Sequence, residues 1–343
     1  MDKTAVILSN TGTPDNTSVG AVRRYLKEFL GDARVITMPA VLRKMLVNGI
    51  IVPFRAPKSA KLYEQVWTSE GSPLLVHSLS LRNKLQEQLG DSYEVMLGMR
   101  YGNPSLKDAL QQLKSNQYSR VVLLPLFPQY ASSTTGTILE CVHSEISKWN
   151  NIPALQTIPP FFNHEDFIAC FAENVKNKKP EQFDHVLFSY HGLPLKHVNA
   201  THQGKDCSHF NCTKEINPSN TYCYRAACYA TTRLLASQLN LPEDKYTVCF
   251  QSRFSQSWLS PFADEEVKAK ARQGVKNLLL VSPSFVTDCL ETIVELGIEY
   301  RHLFEQNGGD RFEWTESLND KEQWVCFLAE LIRGKIYSQG QTI

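Results

Sequence analysis

An α/β fold of two similar doubly wound, Rossmann-like lobes with parallel sheets is predicted for this chain from three observations. Short apolar runs alternate with longer amphipathic segments, the alternation occurs twice, and 343 residues are enough for two cores of ordinary size. The first run, residues 5–8, leads into the turn Asn10-Thr11-Gly12. Residues 22–30 then carry apolar side chains three and four apart, the mark of a helix with one buried face. A second such helix is expected at 79–89, with strands at 95–99, 121–127 and, more weakly, 154–158. The second half repeats the plan. A strand at 186–189 meets the turn Tyr190-His191-Gly192, followed by a helix at 226–239, a strand at 246–250, a helix at 265–271 and a strand at 278–281. In both halves the second strand ends at an arginine, Arg100 or Arg253, and the third is broken by proline, Pro125 or Pro283. The lobes are expected at 1–165 and 166–320, followed by a C-terminal helix and tail at 321–343. The seam lies where Lys176-Asn177-Lys178-Lys179-Pro180 closes a helix.

Composition excludes several classes of function. Lys and Arg number 36 against 35 Asp and Glu, so neither a nucleic-acid footprint nor a strongly basic membrane patch is expected. The apolar run 121–128 is far shorter than the 18 or so residues a membrane span requires. Met1-Asp2-Lys3 leads straight into a β-branched run, unlike a secretory leader, which points to a cytoplasmic protein. In that reducing setting nine cysteines suggest metal binding or burial ahead of disulfides. Glycine-rich nucleotide fingerprints and Walker patterns are absent from the sequence.

Three patterns can carry chemistry. Asp288, Glu291, Glu295 and Glu299 are spaced three, four and four apart, which on an α-helix is one acidic face roughly 16 Å long. Such a row at the ligand edge of a sheet suits a cation path or a proton relay, although a plain solvated face has the same spacing. His191 stands at a strand tip, where imidazole serves as base or metal ligand near neutral pH, or simply as a structural residue. Cys207, Cys212, Cys223 and Cys228 follow C-x4-C-x10-C-x4-C in a polar segment, with His209 among them. That spacing is open to an iron–sulfur cluster, a structural zinc or free thiols. The other five cysteines read as buried small hydrophobes.

The ordered motifs together resemble the ferrochelatases. They are Asn10-Thr11-Gly12-Thr13-Pro14, Val22-Arg23-Arg24-Tyr25-Leu26, Gly71-Ser72-Pro73-Leu74 and Gly98-Met99-Arg100-Tyr101-Gly102 in the first half. Pro125-Leu126-Phe127-Pro128-Gln129-Tyr130 with Ser133-Thr134-Thr135-Gly136, and Ser189-Tyr190-His191-Gly192-Leu193-Pro194, follow. Phe250-Gln251-Ser252-Arg253 with Trp258-Leu259, and Asp288-Cys289-Leu290-Glu291-Thr292, complete the set. The resemblance implies a porphyrin cleft between the lobes and insertion of Fe²⁺ into protoporphyrin IX to make haem b, a lyase reaction with porphyrin and ferrous iron as partners. It implies His191 and Glu291 as the catalytic pair, with His191, Glu291, Asp288 and Glu295 along the iron path. It places Thr11, Arg100, Tyr101, Tyr130, Ser252 and Trp258 against the porphyrin. Clustered internal cysteines, as in some bacterial members, imply a [2Fe–2S] site at Cys207, Cys212, Cys223 and Cys228. The segment 38–54 corresponds to the family's lip over the cleft, where it would meet the inner membrane from its cytoplasmic side or touch a haem-pathway enzyme; a core helix is the other reading. Thr11 stands where bulkier residues are common, Cys289 where animal members have a second histidine, and Ser132 where they have a cluster cysteine. The alternatives are a chelatase for coproporphyrin or another tetrapyrrole or metal, a non-catalytic haem or porphyrin carrier, and an iron–sulfur redox sensor.

Overall fold

A computed structural model describes residues 3–116 and 118–334. The chain forms two compact units, one of Met1–Phe127, Ala131–Pro159 and Asn319–Ile343, the other of Pro128–Tyr130 and Pro160–Leu318. The first contains β1 (Thr4–Thr13), α1 (Val19–Gly31), α2 (Ala40–Leu46), α3 (Val52–Val66), α4 (Pro73–Leu89), β2 (Tyr93–Gly102), α5 (Leu106–Asn116), β3 (Arg120–Pro125), α6 (Thr137–Ile146) and β4 (Ala154–Thr157). Its sheet is parallel throughout, in the order β2-β1-β3-β4. The second unit contains α7 (Glu165–Lys176), β5 (His185–His191), α8 (Leu195–Ala200), α9 (Tyr224–Gln238), β6 (Tyr246–Gln251), α10 (Ala263–Arg272), β7 (Asn277–Val281), α11 (Tyr300–Gln306) and β8 (Arg311–Trp314). Its order, β6-β5-β7-β8, repeats the first sheet's pattern strand for strand.

The strands form where the sequence packs β-branched and leucine side chains without alternation, because helices cover both faces of a parallel sheet. Ala5, Val6, Ile7 and Leu8 are wholly buried, as are Leu278, Leu279, Leu280 and Val281. β3 stops at Pro125, short of the expected end at residue 127, since proline has no N–H for the ladder. β8 went unforeseen: Arg-Phe-Glu-Trp is short and half charged, and it forms by pairing beside β7. Local signals set the helix ends. Ser18 accepts the Ala21 N–H at the start of α1, and Pro73 opens α4.

The last helix, α12 (Glu322–Arg333), belongs to the first unit, where Trp324, Leu328 and Leu331 are buried. Asp320 beside it takes the Ser80 hydroxyl at 2.6 Å and the Lys84 ammonium at 2.6 Å, both from α4. Residues 335–343 of the expected tail lie outside the described residues. The segment 38–54 is not a core helix. It runs through α2, a π-helical turn at Val47–Ile51 and the start of α3, with Val41, Leu42, Met45, Ile50 and Phe54 all exposed.

Doubly wound sheets present ligands at strand C-termini, beside the point where the winding reverses. Here those points are β1/β3 and β5/β7. The first is built at close quarters. Gly12 has φ +106°, and a Cβ there would fall 1.8 Å from the Tyr101 carbonyl oxygen. Gly12→Ala is therefore expected to destabilise the first unit by about 3 kcal/mol or more, read as a lowered urea midpoint. Unchanged stability would contradict this geometry.

Candidate active site and metal centre

β5 is buried on both faces until it reaches His191, which is half-buried at its tip. The imidazole Nδ1 lies 2.7 Å from the Gly192 carbonyl oxygen. A carbonyl can only accept, so Nδ1 is the donor, and in the neutral imidazole Nε2 is then the nitrogen with the lone pair. Among the described residues no hydrogen-bond partner meets Nε2. The backbone is held as well: the His191 N–H points to Ser284 Oγ at 3.4 Å, and the Tyr224 hydroxyl donates to the His191 carbonyl at 3.0 Å. Trp258 and Phe285 flank the ring at centroid distances of 6.5 and 6.2 Å. Gly192 makes this packing feasible, since a Cβ would sit 2.7 Å from the Gln251 carbonyl oxygen and 3.3 Å from the Trp258 ring. Ser284, Phe285 and Tyr224 escaped the sequence reading, because hydroxyl and phenyl groups distant in the chain carry no spacing signal.

The acidic segment differs from the expected straight stripe. Glu291–Glu299 is π-helical, with i→i+5 hydrogen bonds in place of the α-helical pattern, a geometry often found at functional sites. Asp288 precedes that helix and is 4% exposed. It accepts the Thr292 hydroxyl at 3.0 Å and the Ser317 N–H at 3.1 Å, so it anchors the turn and does not continue a face. Glu295 accepts from Gln251 Nε2 (3.2 Å), the Ser252 N–H (2.8 Å), the Ser252 hydroxyl and the Tyr300 hydroxyl (2.9 Å). Ser252 is held by these bonds at φ +59°, a left-handed conformation uncommon for serine. Gln251 is oriented in turn by Ser189, whose hydroxyl donates to its Oε1 at 2.9 Å. Glu291 is half-buried beside Cys289, whose thiol burial and the Glu291 charge push up. Glu299 is exposed, and partial desolvation with the Glu295 charge holds its carboxyl above the ordinary range.

In the first unit, Arg100 and Tyr101 converge on Asp32, which is 7% exposed at its side chain. Asp32 accepts from Arg100 (2.6 Å), the Thr137 hydroxyl (2.6 Å), the Tyr101 hydroxyl (2.9 Å) and the Arg34 N–H (2.7 Å). Burial alone would raise the Asp32 pKa, but these hydrogen bonds and the Arg100 charge bring it below the usual carboxylate range. Tyr101 itself is 2% exposed, and its phenol is pushed far up, first by burial. Thr11 is half-buried at the end of β1. Tyr130, in the second unit, is half-buried and meets Tyr222 edge-on at 6.2 Å.

The cysteine segment connects α8 to α9. Cys207, Cys212 and Cys223 come together with His202, every donor atom within 4.8 Å of the others. Cys228 is not in the group. It is buried on α9, one turn beyond Tyr224, and burial holds its thiol far above the usual range beside Tyr224. The exposed His209 does not join either. His202 was the missed member of the group, although H-x4-C-x4-C-x10-C was legible as a spacing. The thiol–thiol contact with Cys223 and burial raise the Cys207 pKa, and burial raises that of Cys212 to about 11.

The ferrochelatase family model matches residues 3–336. The ferrochelatase of Coxiella burnetii is 43% identical over 335 residues, covering 97% of this chain and 94% of that protein. The ferrochelatase of Legionella pneumophila strain Paris is 42% identical over 332 residues, covering 96% and 99%. Among solved structures, SirB from Bacillus subtilis with Fe³⁺ superposes with a TM-score of 0.54 at 11% identity, covering 99% of this chain and 98% of that one. The sirohydrochlorin chelatase SirB from Bacillus subtilis subspecies spizizenii in complex with cobalt gives 0.55 at 10% identity, covering 98% and 97%. At these identities the structural likeness concerns the fold.

The Asp32 network has a measurable acid limit. A carboxyl whose pKa is lowered on folding contributes stability that is complete above its unfolded value near pH 4 and fades as pH falls through the folded value. Asp32→Ala is expected to cost about 3 kcal/mol at neutral pH, by leaving Arg100 without its partner. In denaturant titrations the gap between variant and parent should narrow below about pH 4.

Proposed function

The chain belongs to the ferrochelatase family, and from that premise we propose that it inserts Fe²⁺ into protoporphyrin IX to give haem. In this reaction the macrocycle releases two pyrrole N–H protons, iron takes their place, and no oxidation state changes. The protein must therefore supply a base, a shielded seat for the ring and ligands that replace iron's waters.

The observation that carries the reading is the contact between His191 Nδ1 and the Gly192 carbonyl. With Nδ1–H directed to the Gly192 carbonyl, Nε2 offers its lone pair to a pyrrole proton or to the incoming cation. The Ser284 and Tyr224 contacts at its backbone keep that nitrogen aimed, which is what proximity catalysis requires. Glu291 is assigned as the partner carboxylate that stabilises the protonated imidazole. Asp288 and Glu295, placed on the iron path by resemblance, are both engaged by several donors. Their hydrogen bonds support a role in holding the Glu291 segment and the Ser252 turn in place. Trp258 supplies an aromatic wall beside His191. Thr11, Tyr130, Ser252, Arg100 and Tyr101 are assigned to the porphyrin, the last two through the Asp32 network that fixes them. The exposed apolar side chains from Val41 to Phe54 support a peripheral contact with an apolar surface, whether the membrane or a haem-pathway enzyme. No helix among the described residues is long and apolar enough to cross a membrane.

Purified protein given Fe²⁺ and protoporphyrin IX without oxygen should form haem, followed by its visible spectrum. His191→Ala should lower kcat by about 10²-fold or more while the porphyrin still binds. Turnover within a few-fold of the parent would remove His191 from the role of base. Coproporphyrin in the same assay tests the choice of ring: a higher kcat/KM for it would replace protoporphyrin as the substrate.

A further inference from the structure

Of the four cysteines expected to hold a [2Fe–2S] cluster, Cys228 lies outside the group whose donor atoms fall within 4.8 Å of one another, and that group contains three thiols and an imidazole. Its dimensions can be compared with those of a metal site. Zinc–sulfur bonds of about 2.3 Å and zinc–nitrogen bonds of about 2.0–2.1 Å make a tetrahedron with edges of roughly 3.5–3.8 Å. Here Cys207 Sγ and Cys223 Sγ are 3.5 Å apart, and Cys212 Sγ is 3.5 Å from His202 Nε2. All four donors fit within 4.8 Å.

The surroundings also point to a ligand. His202 is 4% exposed, and its ring lies flat on Phe210 at 4.2 Å with Nε2 turned to the Cys212 thiol. Cys207, Cys212 and Cys223 are 1–2% exposed, so no position is open to water. A buried four-donor set with no exchangeable place is the signature of a structural site. Three thiolates around a divalent cation leave one net negative charge, and Arg225 lies within electrostatic reach of Cys212 to offset it. The connection from 201 to 223 exceeds the roughly 15 residues that loops commonly reach without their own support, and its only regular element is the 3₁₀ turn Cys207–Phe210.

The geometry points to a single Zn²⁺ held by His202, Cys207, Cys212 and Cys223, which staples the 201–223 segment onto the start of α9. Cys223 is the N-cap of α9, and its neighbour Tyr224 holds the His191 carbonyl. The cation thus fixes the backbone from which His191 projects. Binding displaces three thiol protons and changes no oxidation state. Preference for zinc follows from the mixed sulfur–nitrogen donor set closed around a tetrahedral site.

The test is metal analysis of the full-length protein, produced with both iron and zinc supplied and purified without oxygen. One zinc per chain and no charge-transfer absorption in the visible region are expected. His202→Ala and Cys207→Ser should each lower the zinc content several-fold, whereas Cys228→Ser should leave it unchanged. Exchange for Co²⁺ should give the intense visible bands of tetrahedral thiolate coordination. Two irons with inorganic sulfide, one iron in place of zinc, or metal-free folded protein with all its thiols titratable would each overturn the assignment. So would zinc lost in Cys228→Ser and kept in His202→Ala. None of these readouts depends on chelatase activity, so the proposal stands or falls apart from the proposed function.

Discussion

A strand buried on both faces determines most of what surrounds it, and β5 is such a strand. From His185 to Tyr190 every side chain is buried, so its direction and register are settled by β6 on one side and β7 on the other. Its C-terminal tip falls where the winding of the sheet reverses, and the next residue is His191. The Gly192 carbonyl, Ser284 and Tyr224 then hold the imidazole and its backbone from three separate segments. A side chain on a flexible loop would have to be ordered before it could act; this imidazole is ordered by the core.

The surroundings of the carboxylates in each unit follow from the cost of burial. A buried carboxylate without donors is expensive, so each one recruits them. Asp288 takes Thr292 and Ser317, Glu295 takes Gln251, Ser252 and Tyr300, and Asp32 takes Arg100, Tyr101 and Thr137. What reads as one acidic stripe is therefore differentiated by its hydrogen-bond partners. Asp288 and Glu295 are engaged by donors and brace the turns, whereas Glu291 is the carboxylate assigned the chemical role. The π-helical winding of Glu291–Glu299 accommodates this, because its wider turn starts after Asp288 has been drawn into the core.

The segment between α8 and α9 meets a different constraint. It has too few apolar side chains to form a core of its own, and it is pinned by side-chain bonds such as Asn199 to the Cys207 N–H and Arg233 to the Thr213 carbonyl. A closed metal site supplies what such a segment lacks. Its attachment at Cys223 links it to the strand tip through a single residue, Tyr224.

The sequence by itself determined the class of fold, seven of the eight strands among the described residues, the repeated plan of the two halves and the prominence of His191. These rest on signals confined to neighbouring residues: unbroken apolar runs, three-and-four spacing, and glycine turns after strands. It also held the family's ordered motifs, which no single element could have carried. Only the tertiary structure decided which side chains meet. It brought His202 to the three cysteines in place of Cys228, placed Asp288 ahead of the helix, set Ser284 and Tyr224 against His191, and paired Arg-Phe-Glu-Trp as an eighth strand. The physical reason is that local periodicity reports how much of a segment is buried and along which face. Coordination and hydrogen bonding depend on the direction of individual side chains across elements far apart in the chain.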